Sequence, residues 1–281
     1  MNARWVALGA CCAAAAVAAL SCGGPTNPTP PVQNDPPKIV SLTAAAARVE
    51  AGETVKLTAE VTDAETPAAQ LSFEWSSSVA GSFSGTGAQV TWRPSTDAET
   101  PADASITLTV VERYNASSGG RTEPRENRVS SAVVVHVNNS VRETTELALQ
   151  FLTDFSNSAV SAETCVRNFT DKCKGKQNEY ADIVENRATR WILDGRFHVD
   201  RVELNEARTR AVIWAPCQFT DYELPDGTPS TTPPATCLLT AVYEPYRWWL
   251  CNSNWCDEVA DKCSPSFRGE SLAKGYVKGC S

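Results

Sequence analysis

From Lys38 to about Ser140, apolar and polar residues alternate with a period of two, which puts every second side chain on one face of a strand. Val55, Leu57, Ala59 and Val61 share a face of ETVKLTAEVTD. Ile106, Leu108 and Val110 do so in ASITLTVV, and Val133, Val135 and Val137 in SAVVVHV. With Lys38–Leu42, Leu71–Trp75 and Gln89–Trp92, the pattern predicts about six or seven short strands punctuated by Gly, Pro, Ser and Asp, with no helix. That is the signature of an all-β sandwich over residues 38–140, with Trp75 expected in its core.

The period changes at Ser140. Ser140-Val141-Arg142-Glu143 reads as a capping box, opening a helix with Ala148, Phe151, Leu152 and Phe155 on one face. A second stripe runs Tyr180, Ile183, Val184, Ala188, Trp191. Strand-like runs follow at Phe197–Leu204, Thr209–Ala215, Leu238–Tyr243 and Tyr246–Cys251. Helices followed by an antiparallel sheet predict an α+β domain over residues 141–281.

Before the first strand the chain has another character. Residues 1–21 carry one charge, Arg4, and an Ala-rich apolar stretch from Trp5 to Leu20, too short for a membrane span. The stretch ends in Ser21-Cys22, and this arrangement resembles a bacterial lipoprotein signal. The resemblance implies cleavage after Ser21, lipidation of Cys22 and a membrane partner held through that N-terminal lipid. Gly23 stands where these lipoproteins carry Asp for inner-membrane retention, which implies the outer membrane of a bacterial envelope, on its periplasmic or exposed side. Residues 22–37, with six prolines after the Cys, cannot pack a core and predict a semi-rigid linker.

Net charge is −8 and evenly spread: residues 38–140 hold 8 basic and 12 acidic residues, residues 141–281 hold 16 and 20. No basic patch stands out, which argues against a nucleic-acid partner. Eight of the 11 cysteines, Cys165, Cys173, Cys217, Cys237, Cys251, Cys256, Cys263 and Cys280, fall in the second domain. An even number in an exported region predicts disulfides. Cys217 with Cys237 would staple the base of a Pro/Thr-rich loop, and Cys165 with Cys173 would close a short one. Spacings among Cys251, Cys256 and Cys263 do not match the close pairs of zinc ribbons, so neither metal nor cofactor is expected.

GETVKLTAEVTD, the Trp-bearing LSFEW, the GSFSG turn and VTW-RP resemble bacterial Ig-like and PKD-like repeats, although the WDFGDG-like core of the latter is absent. FHVDRVELNEARTRAVIWAPCQF with LLTAVYEPYRWWLCNSNW resembles the closing hairpins of NTF2-like (SnoaL-like) domains. That resemblance implies a curved sheet around a helix-capped cavity and leaves function open, since such domains include isomerases, ligand binders and scaffolds. TDAETPA occurs at Thr62–Ala68 and again at Thr96–Ala102. Its Asp63, Glu65, Asp97 and Glu99 read as acidic turns rather than a calcium site. His136 is expected to face solvent, and His198 with Asp200 on a strand face is a weak acid/base pair. No catalytic residue is assigned. Tyr243, Tyr246, Trp248, Trp249 and Trp255 are the candidate binding group, for a protein or glycan, unless alternate members fill the core. The expectation is an envelope or surface protein with a binding, adhesion or structural role and no catalysis; the alternative is a small-ligand receptor or enzyme built on an NTF2-like cavity.

Overall fold

A computed structural model describes residues 34–118 and 120–257. Cys22, Cys263 and Cys280, and the side chains of Trp255 and Cys256, lie outside the described residues. Residues Tyr114–Arg125 separate from a main unit that takes Asp35–Arg113 and everything described from Glu126 onward.

Two four-stranded sheets open the main unit. In one, β1 (Lys38–Ala44), β3 (Val55–Thr62), β6 (Gln89–Pro94) and β5 (Gly81–Thr86) lie side by side in that order, each neighbour antiparallel. In the other, β2 (Arg48–Glu50) runs parallel to β8 (Arg121–Asn138), followed by β7 (Ala102–Ser118) and β4 (Ser72–Ser77). The period of two sorts the side chains: Val55 and Leu57 are buried while Lys56 and Glu60 are exposed. Leu57, Val90 and Trp92 of the first sheet pack with Ile106, Val135 and Val137 of the second. Each such burial contributes roughly 1.5–3 kcal/mol.

Trp92 is the fully enclosed tryptophan of these two sheets, and Trp75 packs half-buried against the same core. Trp92 sits on the internal strand β6, whereas Trp75 lies on the edge strand β4 with its indole N–H donating to the Gly87 carbonyl at 3.0 Å. Gly81 lets β5 pass the buried ring, since a Cβ there would come within 2.6 Å of Trp92 Nε1 and of the Arg93 carbonyl oxygen. The two TDAETPA copies lie in the β3–β4 and β6–β7 connections. In the first, the Asp63 carboxylate accepts from the Glu65 and Thr66 amides at 2.9 and 2.6 Å, capping its own turn.

The second half has α1 (Ser140–Ser156), α2 (Ala162–Cys165) and α3 (Gly175–Thr189), then β9 (Arg190–Phe197), β10 (Arg201–Leu204), β11 (Arg210–Glu223), β12 (Ser230–Thr231), β13 (Ala235–Glu244) and β14 (Arg247–Asp257). It is an α+β fold. The sheet runs β10-β11-β13-β14, and β9 pairs with the far half of β11, beyond β10. Ala148, Phe151 and Leu152 of α1 pack on Ile213, Phe219, Leu239 and Leu250.

Three expectations shift. The N-cap of α1 is Asn139, one residue earlier than the capping box predicts. Its side chain accepts from the Arg142 amide at 3.1 Å, while Glu143 reaches back to the Asn139 amide at 2.7 Å. Ser140 is thereby released to bond elsewhere. Of the Tyr180–Trp191 stripe only Ile183 is buried; α3 ends at Thr189, Tyr180 and Val184 are exposed, and Trp191 belongs to β9. The cysteines pair as Cys217–Cys237 and Cys173–Cys251, so the expected Cys165–Cys173 loop does not form. Cys165 ends α2 inside the core as a free thiol, whereas the segment after Phe169 runs along β14, where Phe169 bridges Leu250 and Cys251 follows.

Candidate functional site

The aromatic group of the β13–β14 hairpin does not form one exposed platform. Trp248 is buried, and its indole N–H donates to Ser140 Oγ at 3.2 Å. Tyr243 is half-buried; its hydroxyl donates to Asn138 Oδ1 at 2.9 Å, and the Arg48 guanidinium stacks 3.7 Å from its ring centre. Burial of that ring pushes the phenol pKa up. Tyr246 is exposed in the turn with φ +73°, and Trp249 is half-buried under Arg247 at 3.8 Å.

Most of these residues belong to a joint between the sandwich and the α+β half. Arg48 of β2 is its centre. It donates to Asn138 Oδ1 at 2.9 Å and to Glu50, Ser140 Oγ and the Arg208 carbonyl at 2.8 Å each. His136, expected in solvent, is buried here: Nδ1 lies 2.7 Å from Asp103 and Nε2 2.9 Å from the Tyr246 carbonyl oxygen. The strand face opposite the valines is covered at its C-terminal end by the Tyr246 turn. Arg208, at φ +49°, and Tyr246 are the two non-glycine residues with left-handed backbone among the described residues. Both occupy hairpin turns whose carbonyls are taken by sandwich side chains. Left-handed residues persist where the surroundings over-determine them.

A cavity of about 460 Å³ lies elsewhere in the same half, between α1 and α3 on one side and the sheet on the other. Its apolar walls are Phe151 and Phe155 of α1, Phe219 of β11 and Leu239 of β13, with Phe155 and Phe219 edge to face at 5.4 Å. Its polar groups are Glu179 and Asp182 of α3, Asp221 of β11 and Ser253 of β14, the last the cross-strand neighbour of Leu239.

Local sequence explains how these groups converge. Gly175 starts α3 against β14, where a Cβ would come within 2.1 Å of the Cys251 carbonyl oxygen, and the Cys173–Cys251 disulfide ties the preceding turn to the same strand. One turn on, Glu179 meets Ser253, whose hydroxyl donates to its carboxylate. Gly195 likewise lets β9 approach α1, since a Cβ would lie 2.6 Å from Ser156 Cβ. Cys237 of the second disulfide lines the cavity floor. The loop after β11 folds back through Thr232, whose hydroxyl accepts from the Phe219 amide at 3.0 Å, and closes one side.

Burial, assisted by the nearby Asp182 charge and opposed by the Ser253 hydroxyl, pushes the Glu179 carboxyl up to about 7. Asp221 is buried but paired, with Arg190 Nη1 at 3.2 Å. Arg187 turns toward the carbonyls of Val160, Asp154 and Asn157 and the Cys165 sulfur, the last at 3.3 Å. Burial pushes that thiol's pKa up.

His198 and Asp200 are exposed and do not line this cavity. Glu179, Asp182, Asp221 and Ser253 were not picked out by sequence reasoning. A signal existed for Glu179: it lies four residues before Ile183, the buried apolar position of α3, so it faces inward on helical spacing. No group of three or more His, Cys, Asp or Glu placed to hold a metal ion occurs among the described residues.

No family model matches the chain, and no curated protein matches it. Solved structures do. A ketosteroid isomerase-like protein from Erwinia carotovora atroseptica is 13% identical, with 42% of this chain and 95% of that one covered at a TM-score of 0.36. A domain of unknown function with a cystatin-like fold from Nostoc punctiforme is 12% identical, covering 48% and 90% at 0.33. An Ntf2-like protein involved in plasmid conjugation is 9% identical, covering 56% and 71% at 0.24.

Proposed function

We propose that this chain is a lipid-anchored protein of a bacterial envelope whose distal α+β domain is a small-ligand receptor. The observation that carries this reading is the cavity. Its volume lies in the range of small-molecule sites, and it combines apolar walls with a few polar groups, one of them a carboxyl whose pKa burial raises to about 7. Helices packed on one antiparallel sheet support assigning the domain to the NTF2-like type. We assign it no catalysis, since His136 is held in the joint and His198 lies outside the cavity.

For the first domain we infer an Ig-like spacer. Sheets ordered β1-β3-β6-β5 and β2-β8-β7-β4, with the opening segment divided between them, support that reading. The residues before Asp35 supply the tether, with Cys22 as the acylated residue. Incorporation of a palmitate analogue by cells, lost in Cys22→Ala, is the expected result; label persisting in that variant refutes the anchor.

The receptor reading is tested with Nile red, an uncharged dye that brightens in apolar sites. The intact chain should bind it saturably at one site. Asn254→Trp, which places a large side chain at the cavity wall, should weaken binding about tenfold or more without lowering the melting temperature. Binding that is unsaturable, or unchanged by that substitution, removes the receptor reading.

A further inference from the structure

The five charged side chains facing the cavity are Glu179, Asp182 and Arg187 of α3, Arg190 of β9 and Asp221 of β11; α1, β13 and β14 face it with apolar or neutral groups. Both cations are already engaged. Arg187 is surrounded by three backbone carbonyls and a thiol, and Arg190 binds Asp221 and Glu223, the latter at 3.3 Å. Asp221 is closed by the same ion pair. Two carboxylates are left without a cationic partner. Glu179 and Asp182 are three residues apart on one helix face, the carboxylate of Glu179 has a neutral hydroxyl as its partner, and the exposed carboxylate of Asp182 has no hydrogen-bond or ion-pair partner among the described residues.

Resting on the receptor reading above, we propose that the cavity takes an organic cation: a protonated or quaternary amine whose charged head lies at Glu179 and Asp182 while its apolar body packs against Phe151, Phe155 and Phe219. An anion of the same shape would meet two carboxylates and no unengaged positive group. A neutral molecule would use the apolar walls alone. Desolvation at Glu179 adds a proton to the equilibrium. A carboxyl with its pKa at about 7 is mostly neutral in mildly acidic conditions and releases its proton to solvent when a cation arrives. Only the ionised fraction is competent, so apparent affinity falls with that fraction.

Three probes of one shape separate the alternatives: 2-(1-naphthyl)ethylammonium, 3-(1-naphthyl)propionate and 3-(1-naphthyl)propanol, each titrated calorimetrically into the intact chain. At a pH of about 8.5 the ammonium should bind about tenfold or more tighter than either analogue, and about tenfold weaker at a pH of about 5.5. Glu179→Gln should flatten that pH dependence and leave the alcohol's affinity unchanged. Asp182→Asn, at an exposed position, should weaken the ammonium alone and serves if Glu179→Gln does not fold. Propionate or alcohol binding as tightly as the ammonium at the higher pH overturns the cation assignment while leaving the receptor standing. No binding by any of the three overturns both.

Discussion

The joint and the cavity are two polar regions of one main unit, and they handle buried polarity in opposite ways. In the joint, Arg48 has four hydrogen-bond partners and an aromatic lid. Glu50 accepts from Arg48, from the Ser140 hydroxyl at 2.6 Å and from the Ser140 amide at 2.8 Å, and the Asn138 amide group binds both Glu143 and Arg48. In the cavity, Glu179 is desolvated with one neutral hydroxyl partner, and its proton affinity has risen accordingly. A completely satisfied network rigidifies and specifies one arrangement, whereas a partly satisfied one keeps capacity for something else. Tyr243, Tyr246 and Trp248 of the candidate aromatic group gather at the joint rather than at the cavity.

The largest expected effect breaks the joint. Arg48→Ala leaves Glu50, whose side chain is 13% exposed, as a partly buried charge without its guanidinium, and removes the donor that holds the left-handed Arg208 turn. Removing one member of a buried pair typically costs about 3–5 kcal/mol, and we expect about 3 because the Arg48 side chain retains 21% exposure. Calorimetry of the variant should also resolve two unfolding transitions where the wild type shows one, because the sandwich and the α+β half no longer share the network. A single transition with a loss below about 1 kcal/mol would show that the network contributes little coupling.

What the sequence made legible follows from the range over which each signal acts. Strand alternation is local, so β3, β6, β7 and β8 fall on the runs around Val55, Val90, Ile106 and Val135. The Cys217–Cys237 link is short in sequence and closes one hairpin. Cys173–Cys251 spans 78 residues and depends on where the chain returns after α2, which no local pattern carries; the nearer Cys165 was the natural local partner. His136 was misplaced for a related reason. Its strand alternates correctly, but the face that looks solvated within the sandwich is covered by the Tyr246 turn, over a hundred residues away. Glu179, Asp182, Asp221 and Ser253 come from three different elements, and among these four only the inward helical position of Glu179 was open to inference before folding, whereas the apolar face of α1 that supplies Phe151, Leu152 and Phe155 was legible from its helical spacing.

A smaller effect sharpens the cavity side of the comparison. The Glu179 carboxyl has a folded pKa of about 7, raised above its usual value of 4.5 by burial. Between those values the folded state binds the extra proton, so stability falls as pH rises from about 4.5 to about 7 and levels off above. Glu179→Gln removes the ionisable group while keeping an amide that can still pair with Ser253. The variant should therefore be more stable than the wild type at a pH of about 8 by up to about 2 kcal/mol, less than full conversion of the shift because part of the side chain meets solvent. The difference should vanish below a pH of about 4.5, where both chains carry an uncharged group. Urea unfolding across that range measures it. A difference that stays constant with pH would assign the effect to packing, and would mean that Glu179 is as well solvated as a surface carboxylate. The contrast with Arg48 would then lie in hydrogen-bond number alone. A difference that opens between those pH values would show that the two regions differ in kind: one holds its charges fixed, and the other holds a carboxyl ready to change its charge.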